Sequence, residues 1–342
     1  MNTSFVPIYR KLFEHYKGRI ISQDIKPGHQ IDSINRIMQR HGVSRETSKL
    51  VLKMLADEKL VISRAGKGSF VTRITETRKI WGMVIPFYSS NMEQLINHLD
   101  QEAQNRGRQL LYFFGYNNPE EEMRLVGSMI LEGYEAVIVV PNNDESLTAE
   151  FYRKLIYGNT SVVLVDNTMS GSYFKYVIQS YDLGVKRAID YLAGKTGKNL
   201  LLVKNESWKG RNLLFEFMEQ TFTNIISASY PARKVFVIRS VNEFSCDFVR
   251  RNGIGGVLCC VDTDAVRIIG RLQKQDVSIG KDISIVSYGN TELTEFFNPA
   301  ITVVDCGYGD MALQTARLIE KGNKAGPLEQ HIIFPRLIVR QT

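Results

Sequence analysis

Residues 42–72 read GVSRETSKLVLKMLADEKLVISRAGKGSFVT, and this stretch decides the fold of the first part of the chain. Ser44 can cap a helix predicted over 45–58, because a serine hydroxyl accepts from the free backbone N–H groups of a first helical turn. Gly42 can adopt the left-handed conformation that ends the preceding short helix, which Ser33 can cap. Two short helices joined by a glycine turn are typical of the helix-turn-helix, whose second helix enters the major groove of DNA.

Basic side chains share one face of the second helix. Arg45, Lys49 and Lys53 are spaced by four residues, and Arg45 and Thr47 fall in the first turn, from which side chains reach base edges. Two β-prone pieces then flank Ala65-Gly66-Lys67-Gly68, a basic hairpin tip suited to phosphates or to a minor groove. A solvated helix face would explain the basic stripe alone, but the stripe, the turn and the tip together favour binding to double-stranded DNA.

The distribution of charge supports this interpretation. The chain has 342 residues, with 43 Lys and Arg against 36 Asp and Glu, and a formal net charge of +7. Residues 1–78 hold 15 basic and 7 acidic residues and carry +8, so the remainder, with 28 basic and 29 acidic residues, carries −1. We therefore expect a small polyanion-binding head on a near-neutral body.

The head begins with another helix. Leu12, Tyr16 and Ile20 recur at intervals of four and predict a helix over 7–21, and Lys26-Pro27-Gly28 then forms a turn. We predict an α+β winged helix-turn-helix over residues 1–72 and a linker over residues 73–78, which have no clear periodicity.

The segment from PIYRKL through IKPGHQIDS to GKGSFV resembles the winged-helix head of the GntR family of bacterial repressors, across residues 7–72. The DNA contacts that we expect from this resemblance are Ser33, Arg36, Ser44, Arg45, Thr47, Lys49, Gly66, Lys67 and Gly68. The chain departs from the family at Asp32-Ser33-Ile34-Asn35, where P-S-E-R is usual, and Arg36 is the candidate replacement for the missing arginine. Lys49 stands in place of a second recognition arginine and lacks its planar fork, so the operator can differ from the family norm.

From Ile80 onwards, short apolar runs alternate with amphipathic helical segments. The predicted strands are 80–85, 109–114, 136–140, 161–165, 176–180, 199–203, 235–238, 256–260 and 283–287. Continuous apolar strands separated by helices are typical of parallel, doubly wound α/β sheets. Nine strands are many for one sheet, so we predict a two-lobed α/β body over residues 79–342.

This body resembles the sugar-sensing domain of the LacI family, which shares its fold with periplasmic sugar-binding proteins. The resemblance rests on WGMVIPFYSSN at 81–91, GGVLCCVDTDAV at 255–266 and KDISIVSYGNTELTEFFNPAITVVD at 281–305, with departures at Ser287, Gly289 and Asn290. A GntR-type head on a LacI-type body is the architecture of bacterial arabinose repressors. It implies a homodimer on a near-palindromic operator, with a monosaccharide such as L-arabinose or L-fucose bound between the lobes and relieving repression.

Candidate effector-binding residues follow the predicted strands, because ligands of open α/β sheets bind beyond the carboxyl ends of the strands. They are Phe87, Tyr88, Ser89, Ser90, Asn91, Asp166, Gln179, Trp208, Arg211, Asp262, Tyr288 and Asn290. Carboxylates, amides and arginine can hydrogen-bond sugar hydroxyls, and aromatic faces can cover the C–H side of a sugar ring. Arg211 and Asp262 match positions that commonly touch the sugar in the LacI family. Each aromatic residue is equally compatible with packing, Asp166 with a loop cap, and the whole set with a sugar phosphate.

A sugar-binding transport component and an enzyme on the same scaffold are the alternatives. The basic head and the lack of a secretory signal oppose the first, and the absence of G-x-S-x-G, H-E-x-x-H and phosphate-loop motifs opposes the second. The four cysteines form no C-x-x-C pair and the five histidines have no ligand spacing, so we expect neither a metal nor a cofactor. No run approaches the roughly 20 apolar residues of a membrane span. We expect a cytoplasmic, nucleoid-associated bacterial protein.

Overall fold

The computed structural model describes residues 6–21, 24–72, 77–142, 145–155, 160–169, 174–205, 213–322 and 329–342. These residues form two compact units, which we describe separately. The first unit consists of Met1–Phe87, Asp100–Tyr176 and Thr315–Gln330, and the second of Tyr88–Leu99, Val177–Gln314 and His331–Thr342. The predicted DNA-binding head thus lies in the same compact unit as most of the first sheet.

The head contains three helices and a two-stranded hairpin. Its elements are α1 (Ile8–Ile21), α2 (Ile34–His41), α3 (Arg45–Asp57), β1 (Val61–Arg64) and β2 (Gly68–Val71). The Oγ atoms of Ser33 and Ser44 accept from the backbone N–H groups of Arg36 and Thr47, at 3.3 and 3.1 Å. Gly42 ends α2 with a left-handed φ of +63°. The predicted caps and the glycine turn are confirmed.

The remaining elements alternate strands with helices. In chain order they are β3 (Arg78–Ile85), α4 (Ser90–Asn105), β4 (Gln109–Phe114), α5 (Pro119–Leu131), β5 (Tyr134–Val139), α6 (Glu145–Leu155), β6 (Ser161–Asp166), β7 (Tyr176–Gln179), α7 (Tyr181–Lys195), β8 (Asn199–Val203), α8 (Leu213–Ser229), β9 (Val235–Ile238), a short 3-10 helix (Val241–Glu243), α9 (Cys246–Arg251), β10 (Ile254–Cys259), α10 (Asp262–Gln273), β11 (Ser284–Gly289), α11 (Glu292–Phe296), β12 (Thr302–Asp305), α12 (Tyr308–Lys321), β13 (Gln330–Ile333) and β14 (Arg336–Ile338).

These strands form two six-stranded sheets, in the orders β13-β7-β6-β5-β3-β4 and β14-β12-β11-β10-β8-β9. The pairs β3–β4, β3–β5, β5–β6, β8–β9, β8–β10, β10–β11 and β11–β12 are parallel, while β14 is antiparallel to β12. Every residue of β10 and β11 is buried, as expected for strands covered on both faces. The predicted arrangement of two doubly wound sheets is confirmed.

Each predicted strand has a counterpart, displaced by two residues at most. β3 begins at Arg78, so the last residue of the predicted linker belongs to a strand, and residues 73–76 of that linker lie outside the described residues. The sequence analysis missed β12, β13 and β14. Each has only three or four residues, and β13 and β14 are partly exposed edge strands, so they lack the long apolar run of a central strand. Every helix of the described residues is too short or too polar to cross a membrane.

Candidate nucleic-acid interface and effector site

The recognition helix α3 is held by one face and presents the other to solvent. Ser48, Val51 and Leu55 are fully buried on the inner face, and the Ser48 hydroxyl donates to the Ser44 carbonyl at 3.0 Å. Arg45 and Lys53 are exposed on the outer face. The helix therefore cannot rotate without exposing its apolar residues, which fixes the direction in which the basic side chains point.

Lys49 takes part in an ion pair on this outer face. Its Nζ lies 3.0 Å from Oε1 of Glu46, and both side chains are at least half exposed. Exposed pairs of this kind contribute little, so the lysine can leave Glu46 for a phosphate at small cost. Thr47, the neighbouring first-turn residue, holds its Oγ1 2.9 Å from Oγ of Ser44. This hydrogen bond holds the Thr47 side chain in one rotamer before DNA binds.

The wing is a short antiparallel hairpin with Lys67 exposed at its tip. The Gln30 side-chain amide donates to the Lys67 carbonyl at 2.9 Å, and Gln30 also bridges to Phe70 of β2. Gly68 adopts φ +98°, and a Cβ there would lie 2.4 Å from Nε2 of Gln30. Gln30, which the sequence analysis missed, therefore holds the wing tip in place. Glycine is required at position 68 because the Gln30 side chain lies where a Cβ would be.

The departure at Asp32 has a structural explanation. The Asp32 carboxylate accepts from the Tyr16 hydroxyl at 2.8 Å and forms a short ion pair with Arg40. Tyr16 is completely buried in the head core. Asp32 thus ties the buried Tyr16 of α1 to the half-exposed Arg40 of α2, while Arg36 in the first turn of α2 remains exposed and available to DNA. Arg40 also escaped the sequence analysis, since its role depends on a partner eight residues away.

In the second unit, Asp262 stands at the carboxyl end of β10 and is 2% exposed. Its Oδ2 accepts from the backbone N–H groups of Asn290 and Thr291, at 3.1 and 2.9 Å, and from the Thr291 hydroxyl at 2.8 Å. Its Oδ1 accepts a short hydrogen bond from the Ser287 hydroxyl. Asp262 therefore holds the end of β11 and the start of α11 in place, in addition to any contact it makes with a ligand.

Tyr288 and Gln179 meet in the same unit. The Tyr288 hydroxyl lies 3.1 Å from Oε1 of Gln179, and its ring stacks on Tyr181 with centroids 5.9 Å apart. Gly184 of α7 makes room for this ring, since a Cβ there would lie 2.3 Å from the hydroxyl. Both predicted residues are 2% exposed and joined into one rigid pair.

Asn290 follows β11 with a φ of +121°, which a side-chain-bearing residue rarely adopts. Three contacts support this backbone. Its side-chain nitrogen donates to Asp305 at 3.3 Å, its side-chain oxygen accepts from Arg340 at 2.7 Å, and its backbone N–H donates to Asp262. Strained backbone held by several partners is common at functional sites, which fits the placement of Asn290.

Two polar residues that the sequence analysis missed lie near Asp262. Asn205 follows β8 and donates through Nδ2 to Asp264 at 3.0 Å. Burial raises the pKa of Asp264, although Arg267 and Asn205 counteract that effect. Next to Asn205, the buried Lys204 pairs with Glu219 at 2.6 Å. Lys204-Asn205 directly follows an apolar strand in the sequence, so the rule that selected Asp262 could also have selected them.

The hydrogen bonds described above for Asp262, Tyr288 and Asn290 do not involve the remaining predicted effector residues. Ser89 accepts from the Met92 backbone N–H at 3.2 Å and so caps α4, while Ser90 and Asn91 form the first turn of that helix. Phe87 is half-buried and Tyr88 is 47% exposed. Asp166 is buried at the end of β6 with a φ of +62°. Trp208 and Arg211 lie outside the described residues.

Two domain families match this chain. Residues 8–71 match the bacterial regulatory proteins of the gntR family, and residues 216–342 match the periplasmic binding protein-like domain. An arabinose metabolism transcriptional repressor from Halalkalibacterium halodurans is 22% identical, over 98% of this chain and 96% of the relative. The HTH-type transcriptional repressor PurR from Histophilus somni is 21% identical, over 88% of this chain and 91% of the relative.

Solved structures resemble the body. A periplasmic binding protein/LacI transcriptional regulator from Alkaliphilus metalliredigens, complexed with D-xylulofuranose, has a TM-score of 0.63 at 18% identity and covers 77% of this chain and 98% of its own. A LacI family regulator from Enterococcus faecium with bound ribose has a TM-score of 0.63 at 14% identity, covering 77% and 97%. The chain thus carries a gntR-type DNA-binding domain over residues 8–71 and a periplasmic binding protein-like domain over residues 216–342, and the relatives and solved structures named above are transcriptional regulators.

Proposed function

We propose that this chain, a GntR-type head joined to a LacI-type body, represses genes of carbohydrate utilisation and is released from its operator by a monosaccharide. The likeness to an arabinose metabolism repressor along 98% of the chain carries this proposal, because it covers the head and the body together. L-Arabinose is the first candidate effector on the same ground, and L-fucose is the second. The proposed site of action is the bacterial cytoplasm, where the operator DNA is.

The proposed DNA-binding surface consists of α3, the first turn of α2 and the wing. Arg45 and Thr47 stand at the end of α3 that would enter the major groove, and Lys49 and Arg36 flank them. Lys67 at the wing tip would contact a phosphate or the minor groove between Gly66 and Gly68, whose missing side chains permit close approach. Ser33 and Ser44 would offer their helix N-termini to phosphates.

A small uncharged polyol suits the strand ends of the body. In the second unit, Gln179 and Asn290 supply amide groups for hydroxyls and Tyr288 supplies an aromatic ring, while Asp166 supplies a carboxylate in the first unit. Two similar folds hold furanose or pentose sugars, D-xylulofuranose and ribose. The near-neutral charge of the body also favours a neutral ligand over a phosphate ester.

Gel retardation with the DNA upstream of the gene tests the regulator proposal. We expect retardation at low salt that added L-arabinose or L-fucose reverses, while an unrelated sugar such as sucrose has no effect. Absence of retardation on neighbouring promoters would overturn the operator assignment. A thermal-shift screen across monosaccharides tests the sensor independently, because a ligand of the folded state raises the melting temperature. If no sugar or sugar phosphate does so, the effector assignment fails.

We also propose that the regulator acts as a homodimer. The edge strand β4 exposes Leu111 and Tyr112 by 40% and 47%, and Tyr116 beyond it by 75%. Phe114 joins this patch, with ring centroids 6.0 Å from Tyr112 and 6.2 Å from Tyr116. Exposed apolar patches on strand edges commonly mark interfaces. Sedimentation of Tyr112→Asp should shift the protein from dimer to monomer, and an unchanged dimer would exclude this edge.

A further inference from the structure

The last turn of α1 sends two consecutive isoleucines into different cores. Ile20 packs within the head, with Leu12 and Tyr16. Ile21 instead packs into the apolar cluster beneath the first sheet, with Val84 and Val126. Both isoleucines are 4% exposed. The head therefore contacts the cluster of the first sheet through Ile21, a side chain that is not part of the head core.

Ile21 is received by a glycine in the interior of α5. A Cβ built on Gly127 would lie 2.8 Å from Cδ1 of Ile21, so the missing side chain is the space that the isoleucine occupies. Glycine weakens a helix relative to alanine, and an isolated glycine inside a helix commonly has a packing reason. One turn further along α5, Leu131 packs against the head core. Contacts thus run in both directions between α1 and α5.

We propose that Ile21 is a docking residue, which seats over Gly127 and holds the DNA-binding head on the first unit in one orientation. The contact positions the head without covering its DNA-binding surface. Arg45, Lys49 and Lys67 all remain exposed while Ile21 is buried. A docked head has less orientational freedom to lose when it binds DNA than an undocked head. Docking would therefore favour the binding of both heads of a dimer to correctly spaced half-sites.

Charges of both signs lie around this contact. Burial raises the pKa of Glu14 on α1, and the negative charges of Glu58 and Glu120 add to that effect although Lys17 opposes it. Glu120 lies in the first turn of α5, so like charges face each other across the docked helices. Glu58 and Arg124 supply an opposite-sign interaction. Attraction and repulsion are thus both present beside the apolar contact of Ile21.

The same helix also reaches the strand-end face of the first unit. Glu122 of α5 is 2% exposed and accepts from the backbone N–H of Asn142 at 2.8 Å and from the Tyr152 hydroxyl at 2.7 Å. Asn142 lies beyond the carboxyl end of β5, the position at which ligands of open α/β sheets bind. A ligand that shifts Asn142 would therefore displace α5 and the seat of Ile21. This coupling, unlike the docking itself, rests on the proposed function, and it requires the ligand to favour one of the two positions of α5.

Amide hydrogen exchange of the full-length protein tests docking without DNA or ligand. In Gly127→Leu the new side chain occupies the seat of Ile21, and in Ile21→Ala the apolar contact is lost. We expect both variants to speed exchange in residues 18–21, the last turn of α1, about tenfold, since that turn loses its contact with α5 and opens locally. Gly194→Leu and Ile8→Ala are the matched controls, because Gly194 has no neighbouring atom within 4 Å and Ile8 is 50% exposed.

Equal exchange in the docking variants and the controls would overturn the proposal. If Gly127→Leu disrupts α5 itself, then Ile21→Ala alone decides, because Ile21 is not part of the head core. Operator retardation gives a second readout. The docking variants should bind the upstream DNA about tenfold more weakly, yet bind unrelated duplex at low salt as wild type does, because their phosphate contacts are intact. Equal weakening on both DNAs would show that the head has lost its fold rather than its orientation.

Suppose that docking holds and that L-arabinose or L-fucose raises the melting temperature. If the sugar then leaves the exchange of residues 18–21 unchanged, the coupling through α5 is excluded while docking stands. If no sugar raises the melting temperature, the proposed effector fails and the docking result is unaffected. The two proposals can therefore fail separately.

Discussion

Arg45 and Lys67 are both exposed cations on the head, but their positions give them different roles. Arg45 stands in the first turn of the recognition helix, where a guanidinium can clamp a guanine, and Lys67 is at a wing tip suited to phosphates. We expect Arg45→Ala to cost about 1–3 kcal/mol on the operator and to relax base preference, whereas Lys67→Ala lowers the salt slope by about one on any duplex. Fluorescence anisotropy across salt concentrations measures both, with Lys281→Ala as a control on the body. The same salt slope in all three variants would contradict these roles.

The hydrogen bonds of Asp262 predict a stability effect that is separate from ligand binding. Asp262→Ala leaves the Ser287 and Thr291 hydroxyls and two backbone N–H groups without their buried acceptor. Each such loss costs about 1–3 kcal/mol, so with four donors affected we expect at least about 4 kcal/mol in total and a clearly lower melting temperature. Asp310→Ala is the control, since Asp310 is 57% exposed in the same unit. An unchanged melting temperature together with lost sugar binding would assign Asp262 to the ligand alone.

Glu122 should make the stability of the first unit depend on pH. Burial raises its pKa above the ordinary 4.5, even though Tyr152 and Asn142 donate to it. A raised folded-state pKa contributes stability that is fully present below the unfolded pKa and is lost as the pH rises through the folded one. Glu122→Gln keeps an acceptor oxygen but cannot ionise. Its melting temperature should therefore rise relative to wild type as the pH goes from about 4 to about 8. Parallel curves would show that Glu122 is already neutral or unperturbed.

At the scale of elements, two glycines of the head should respond to alanine in opposite directions. Neither Gly18 in α1 nor Gly42 after α2 has an atom within 4 Å of a built Cβ, so backbone conformation alone decides. Gly42 has φ +63°, and alanine there should cost about 1 kcal/mol. Gly18 is helical, and alanine there should gain about 0.5–1 kcal/mol. Amide exchange of α2 and α3 reports both changes. Effects of the same sign would mean that the turn conformation is not what Gly42 provides.

The elements that sequence patterns predicted are those whose stability is local or fully buried. Helix caps at Ser33 and Ser44 depend on residues three positions away, and central strands such as β10 are continuous apolar runs. β13 and β14 are short strands at the edges of different sheets, and their half-exposed residues give no apolar run to recognise. Sequence patterns therefore fail to predict elements that are short and half-exposed, and contacts between residues far apart in the chain.

The candidate sites show the same limit. Strand ends identified Asp262, Gln179 and Tyr288, since the position after a strand is visible in the sequence. The contacts between such residues were not visible in the sequence. Gln179 and Tyr288 are separated by 109 positions, and Ile21 of the head contacts Gly127 of α5, which lies far from it in the chain. Pairings that depend on tertiary structure therefore require coordinates.

At the scale of the whole molecule, charge and ligand chemistry separate into two parts of the chain. Residues 1–78, the head and the linker, carry +8 and the remainder −1, so DNA binding should depend on salt and effector binding should not. For a dimer making six to ten phosphate contacts, we expect operator affinity to fall about 10³- to 10⁵-fold between about 50 and 200 mM salt. Calorimetric titration with L-arabinose or L-fucose over the same range should give a constant affinity, because a neutral sugar releases no counterions. A sugar affinity that falls steeply with salt would instead identify a charged effector such as a sugar phosphate. Operator binding that is insensitive to salt would contradict the assignment of the basic head to DNA.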